Sequence, residues 1–323
     1  MRLGYSQKER LWGIVLAAGE GNRVRPFIRS HYGLCSPKQY VAFTGKRSML
    51  QHTLHRAERR IPPERILTVV SPDHIREVEA QLADRPRQTV IFQPCNRETA
   101  PGVLFPLIHI LKRDPEARVA IFPSDHFILE EDRFMGYVES ADRAVQADPE
   151  RPVLLGIRAE DPEVEYGWIE PAESIPQSSG SEVRRVRRFL EKPDFSSACA
   201  FFRKGYLWNT FVTVAKAKTL VEMTKNSLHN IWKRFERMRA AIGAERESSV
   251  IEREYAQMEG ATLSRGVFEK SPAKMAVIEV RGVLWSDWGS GDRILTTLKR
   301  IGKLPPPGPA ETGWLEEREK AVI

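Results

Sequence analysis

Cysteine is scarce in this 323-residue chain: Cys35, Cys95 and Cys199 are scattered without C-x-x-C spacing. That excludes a zinc ribbon and a disulfide framework and suits a reducing compartment, with the three thiols expected as small apolar fillers. Long apolar runs are also missing. None approaches the ~20 residues a membrane-spanning helix needs, and the first ten residues are polar, so a soluble, cytoplasmic protein without leader or membrane contact is expected. The excess of Lys+Arg (50) over Asp+Glu (43), a net +7, points to anionic partners. Dense basic tracts with interleaved aromatics do not occur, so nucleic acid is not an expected partner. No internal repeat is present, and homo-oligomer formation is left open. With 41% hydrophobic residues the chain can bury a substantial core.

Against these absences stands one dense stretch, WGIVLAAGEGNRVRPFIRSHYGLCSPKQY, from Trp12 to Tyr40. The apolar run Ile14-Val15-Leu16-Ala17-Ala18 is short enough for a buried strand and leads straight into Gly19, Gly21, Arg23, Arg25 and then Pro37-Lys38. Glycines let backbone approach an anion, and fixed positive charges on the same loop can meet phosphate oxygens. Two common phosphate loops do not fit. A dinucleotide fingerprint needs a third glycine where Val24 stands and an acidic residue further on. A Walker loop needs Gly-Lys-Ser/Thr at a spacing that never occurs. An ordinary turn after a strand is the plain alternative.

The rest of the first half alternates. Strands are expected at 11–18, 66–71, 89–93, 119–123 and 153–157, with helices at 48–60, 72–82, 100–112 and 133–147. Such alternation means βαβ crossovers and a Rossmann-like α/β fold: a mostly parallel mixed sheet flanked by helices, with ligands at the carboxyl ends of its strands. Further strands are expected at 167–170, 183–190, 206–215 and 274–280. Two or three helices should fill about 216–260, and a final one 293–301. Prolines at 305–309 then introduce a charged tail, 304–323, expected to be mobile.

Leu16-Ala17-Ala18-Gly19-Glu20-Gly21-Asn22-Arg23 followed by Pro37-Lys38-Gln39-Tyr40 resembles the signature of the sugar-nucleotide pyrophosphorylases, and the Pro-Lys-Gln-aromatic ending resembles their mannose-1-phosphate guanylyltransferase branch. Later segments add to the likeness in order. Gln93-Pro94-Cys95-Asn96-Arg97-Glu98-Thr99-Ala100-Pro101 is similar to the family's base-reading segment, with Glu98 at an asparagine position. On its own chemistry Thr99 could simply cap a helix. Phe122-Pro123-Ser124-Asp125-His126 delivers a carboxylate at a strand end, as a magnesium ligand requires; His126 reads as structural. Glu165-Tyr166-Gly167-Trp168 resembles the sugar-pocket turn. Glu191-Lys192-Pro193 matches a sugar-phosphate motif, although Glu-Lys is also the commonest surface pair. Trp208-Asn209-Thr210-Phe211 resembles a Trp-Asn-Ser-Gly segment, with threonine and phenylalanine replacing its last two residues. Trp285-Ser286-Asp287-Trp288-Gly289 resembles the second metal-binding motif. The stretch around Arg265 lacks an aspartate usual in the branch.

The resemblance implies residues 1–303 as one nucleotidyltransferase catalytic domain with a nucleoside triphosphate, GTP, and a sugar 1-phosphate, mannose 1-phosphate, as partners and Mg²⁺ as cofactor. It assigns catalytic roles to Arg23 and Lys38 and nucleotide binding to Leu16, Ala17, Ala18, Gly19, Gly21, Gln93, Asn96, Thr99 and Ser124. Sugar-phosphate binding falls to Tyr166, Gly167, Glu191, Lys192 and Asn209, and metal binding to Asp125 and Asp287. Alternatives are a same-fold enzyme using another triphosphate or sugar, a non-catalytic regulator that binds nucleotide-sugar, and a nicotinamide-dependent dehydrogenase.

Overall fold

A computed structural model describes residues 10–176 and 180–305. The tail beyond 305 and part of the Ser/Gly-rich loop at 174–181 lie outside the described residues. Strands β1 (Leu11–Ala17), β2 (Ile66–Val70), β3 (Val90–Phe92), β4 (Arg118–Pro123), β6 (Val153–Arg158), β7 (Gly167–Ile175), β8 (Val183–Glu191), β9 (Leu207–Lys216) and β10 (Ala276–Val280) form one sheet, in the order β3-β2-β1-β4-β9-β6-β10-β8-β7. Following the pairings across it, seven strands point one way, and β8 and β9 run against them. A short ribbon of β5 (Phe127–Ile128) and β11 (Trp285–Ser286) stands apart.

Period-two alternation explains the layers. Along β1, Leu11, Val15 and Ala17 face a first core and Trp12 and Ile14 a second. In β4, Val119 and Ile121 alternate in the same way with Ala120 and Phe122. Helices α2 (Met49–Glu58) and α5 (Glu131–Ala147) cover the first face through Leu50, Leu54, Phe134 and Val138. The second face is covered by α4 (Thr99–Arg113) and by α7 (Ala217–Ser227), α8 (His229–Ala241) and α9 (Glu247–Ala256), into which the helical stretch at 216–260 resolves. Smaller helices α1 (Arg25–Tyr32), α3 (Ile75–Gln81), α6 (Phe195–Arg203) and α10 (Gly291–Arg300) lie at the periphery. The start of α2 is written locally: Ser48 accepts from Gln51 N while the Gln51 side chain accepts from Ser48 N, a reciprocal capping box.

Two local expectations are corrected. Cys35 is exposed and Cys95 and Cys199 are only part-buried, all three free; Cys95 alone packs against the core, from its edge, and the other two do not fill it. The α4 cap falls on Glu98, one residue before Thr99, because the Thr99 hydroxyl is already engaged, accepting from Leu263 N at 2.9 Å.

Candidate active site

The exits of β1 and β4 open into a cleft of about 340 Å³, at the carboxyl ends where parallel sheets bind ligands. The floor is the loop after β1. Gln39 Nε2 donates to the carbonyls of Ala17 at 3.0 Å and Gly19 at 2.7 Å, holding that loop down. Gly21 sits at φ 64, and a Cβ there would lie 3.1 Å from Lys38 N, so the turn needs glycine for both conformation and space. Leu16, Ala18, Gly19 and Gly21 line the wall, while Ala17 points into the core.

Asp125 follows β4, and Asp287 follows β11. Pairing of Trp285 with Ile128 and Ser286 with Phe127 carries the second aspartate to the first, and both line the cleft. Lys38, almost fully buried, joins them: Nζ lies 2.9 Å from Asp125 Oδ2 and donates to the carbonyls of Asp287 at 2.5 Å and Trp288 at 3.1 Å. Burial pushes the Asp125 carboxyl up, but Lys38 and His126 outweigh it and hold it below the usual range. At Asp287 burial is likewise overcome by Arg293, His126 and Lys38. Its Oδ1 accepts from Tyr166 Oη at 2.9 Å, Arg293 Nη1 at 2.9 Å and Gly289 N at 2.8 Å. Burial holds the His126 imidazole below its ordinary value, against the pull of both aspartates. His126 lines the cleft beside Asp125, with a T-shaped contact to Trp285.

Opposite lie the ends of β7, β8 and β9. Tyr166, Gly167, Glu191, Asn209 and Phe211 line this wall. Phe211 adopts φ 66, a left-handed conformation held by Asn209 Oδ1, which accepts from Phe211 N at 3.1 Å. On the rim, Glu165 pairs with Arg23 and stands 3.7 Å from Lys192 Nζ. Both basic chains are about half exposed, and neither is part of the cleft wall itself. The remaining side is built by Gln93, Asn96, Glu98, Thr99 and Ser124.

The fold therefore brings the expected site residues to one place, with Lys38 and Ala17 behind the wall and Arg23 and Lys192 at its edge. Four contributors were not assigned roles from sequence. Gln39 and Glu165 lay inside the motifs but carried no chemical signal of their own. Arg293, which clasps Asp287 and lies 4.5 Å from the Tyr166 ring centroid, was legible only as a helix start. Glu269 accepts from Glu191 N at 2.5 Å.

The sequence model of the nucleotidyl transferase family matches residues 12–303. Among curated proteins, the alginate biosynthesis protein AlgA of Pseudomonas fluorescens is 31% identical over 66% of this chain and 43% of its own length. Mannose-1-phosphate guanylyltransferase 2 of Escherichia coli O157:H7 is 28% identical over 86% of this chain and 58% of its own. The chain thus spans about half the length of the curated relatives it matches. A solved structure from Thermus thermophilus, described as mannose-1-phosphate geranyltransferase, superposes with a TM-score of 0.75 at 28% identity, covering 92% of this chain and 80% of that one. With the family match spanning nearly every described residue, this chain belongs to the nucleotidyl transferase family.

Proposed function

We propose that the chain transfers a guanylyl group from GTP to mannose 1-phosphate, giving GDP-mannose and pyrophosphate. The observation that carries this reading is the convergence of Asp125 and Asp287 on one cleft whose floor is a glycine-rich loop, with Lys38 bonded to both loops from just behind the wall. The naming of relatives as mannose-1-phosphate guanylyltransferases supports the choice of substrates. In the reaction a phosphate oxygen of the sugar phosphate attacks the α-phosphorus, and the bond from that phosphorus to the leaving pyrophosphate breaks. Little covalent help is needed. Positioning of two anions and cancellation of their charge do most of the work.

Lys38 would supply positive charge next to the α-phosphate, and Arg23 would hold the triphosphate at the rim. Lys192 would meet the sugar phosphate, with Glu191 and Asn209 on the hydroxyls of the sugar, near Tyr166 and Gly167. The cleft would suit Mg²⁺. Asp125 and Asp287 offer hard oxygen donors held ionised, and no group of three or more His, Cys, Asp or Glu suited to a metal occurs among the described residues. A cation that keeps waters and shares substrate phosphates suits so sparse a donor set. When bound, Mg²⁺ would offset negative charge on the phosphate oxygens. We place the reaction in the cytoplasm, in line with three free cysteines. No helix among the described residues is long and apolar enough to cross a membrane.

A panel of GTP, UTP, dTTP and CTP against mannose 1-phosphate and glucose 1-phosphate, read as pyrophosphate release, tests the assignment. GTP with mannose 1-phosphate should be the fastest pair; a different winner would reassign the substrates.

A further inference from the structure

The side of the cleft before α4 carries hydrogen-bonding groups that the fold leaves unused. Gln93 is 2% exposed, and its Nε2 donates to Cys95 O at 2.7 Å, which leaves Oε1 without a partner. That bond orients the amide, so the free atom is an acceptor. Asn96 is oriented too: its Oδ1 accepts from Glu98 N at 2.9 Å, which turns its Nδ2 into an available donor. Glu98 lines the same cleft, and its carboxylate has no hydrogen bond or ion pair among the described residues. Its backbone adopts φ 69 and ψ −175, a region nearly reserved for glycine. Backbone strain of this kind clusters at ligand sites, and Glu98 stands exposed to the cleft. Gly260 leaves room for it, since a Cβ there would lie 3.3 Å from Glu98 Cγ.

We infer that Glu98 selects the base of the triphosphate, its carboxylate accepting the adjacent N1–H and N2–H of guanine. This rests on the reading of the cleft as a nucleotide site and adds a residue to it. Guanine presents two neighbouring donors beside the O6 acceptor; a carboxylate and the Asn96 amide complement that edge. Uracil and thymine show a lone N3–H between two carbonyl oxygens, which a carboxylate and Gln93 Oε1 repel. Adenine and cytosine place a ring acceptor where guanine has N1–H.

The test compares GTP with inosine triphosphate, which lacks the 2-amino group, in wild type, Glu98→Gln and Glu98→Gly, by steady-state kcat/KM and by thermal unfolding. Loss of charge-assisted hydrogen bonds should lower kcat/KM for GTP about 10- to 100-fold in both variants. The GTP to inosine triphosphate preference should collapse toward one, with KM for mannose 1-phosphate unchanged. Glu98→Gly should also unfold at a higher temperature, because it relieves the strained backbone. A preference retained in both variants would overturn the role of Glu98 and leave the transferase reading standing. A wild type that used UTP, dTTP or CTP but not GTP would overturn it as well. Pyrophosphate release from no triphosphate at all would remove the transferase reading and this role with it.

Discussion

The Lys38 ammonium lies 2.9 Å from Asp125 Oδ2 and also donates to the Asp287 carbonyl at 2.5 Å, so one buried cation ties together loops that leave different strands. The same group that would neutralise substrate charge also holds the cleft in shape. Substituting it should therefore affect rate and stability to different extents.

Lys38→Met keeps the stem's packing and removes the charge. Turnover should fall on the order of 10²–10³-fold or more, as for other preorganised donors to developing negative charge. Asp125 would lose its buried partner, but its side chain is 35% exposed. The stability cost should then stay at about 1–3 kcal/mol, below the 3–5 of a fully buried pair. Near-normal kcat in a folded variant would remove Lys38 from the mechanism.

Asp125→Asn keeps the shape of the side chain while removing its charge. The magnesium titration of activity should move to higher concentration by roughly 10- to 100-fold, and chelation of wild type should abolish turnover until Mg²⁺ is returned. Superimposable titration curves for the two proteins would exclude Asp125 as a ligand. Asp287→Asn should behave alike but also lower the unfolding temperature, since it weakens the contact with Arg293.

How much of this was written in the sequence depends on the range of the interaction. The β1 run, the Ser48 cap and Asp125 at the end of β4 are local patterns, and each is where its neighbours put it. Insertion of β9 against the flow between β4 and β6 is a long-range pairing, invisible to periodicity. The same holds for Tyr166 on Asp287 and for Glu165 between Arg23 and Lys192. Motif resemblance named most of the cleft because it summarises such pairings without deriving them. It placed Glu98 in a base-reading segment only as a departure from an asparagine, and the role inferred for it rests on its own φ and its unpartnered neighbour Gln93.

Glu191 makes a pH prediction. Burial holds its carboxyl above the usual range, reinforced by Glu269 and opposed by Ser264, Lys192 and Arg265. A folded pKa above the unfolded ~4.3 means the folded state binds the proton more tightly, so ionisation at neutral pH costs stability, and that cost is relieved as pH falls through the folded pKa. Glu191→Gln should unfold at a higher temperature than wild type at pH 7. The gap should close on acidification toward pH 4 as the wild-type carboxyl takes up its proton. KM for the sugar phosphate should rise about tenfold at neutral pH, from loss of a charged hydrogen-bond acceptor. A gap that stayed constant between pH 7 and 4 would contradict the raised pKa.

Gly167 packs against that same carboxylate. A Cβ at this position would lie 2.7 Å from Glu191 Oε2 and 3.3 Å from Asn209 Cβ and Phe189 Cζ. Phe189 is a buried ring, and Asn209 is fixed by its bond to Phe211 N; the Glu191 carboxylate is the part that can give way. Gly167→Ala should thus swing that carboxylate from its place on the wall proposed for the sugar without touching the side proposed for the triphosphate. Misplacement by about 1 Å can cost up to ~10² in rate, so kcat/KM for mannose 1-phosphate should drop ten- to a hundredfold while KM for GTP stays within about twofold. Steady-state kinetics with each substrate varied in turn separates the two effects, and equal losses for both substrates would show that Gly167 supports the whole cleft and not its sugar side alone.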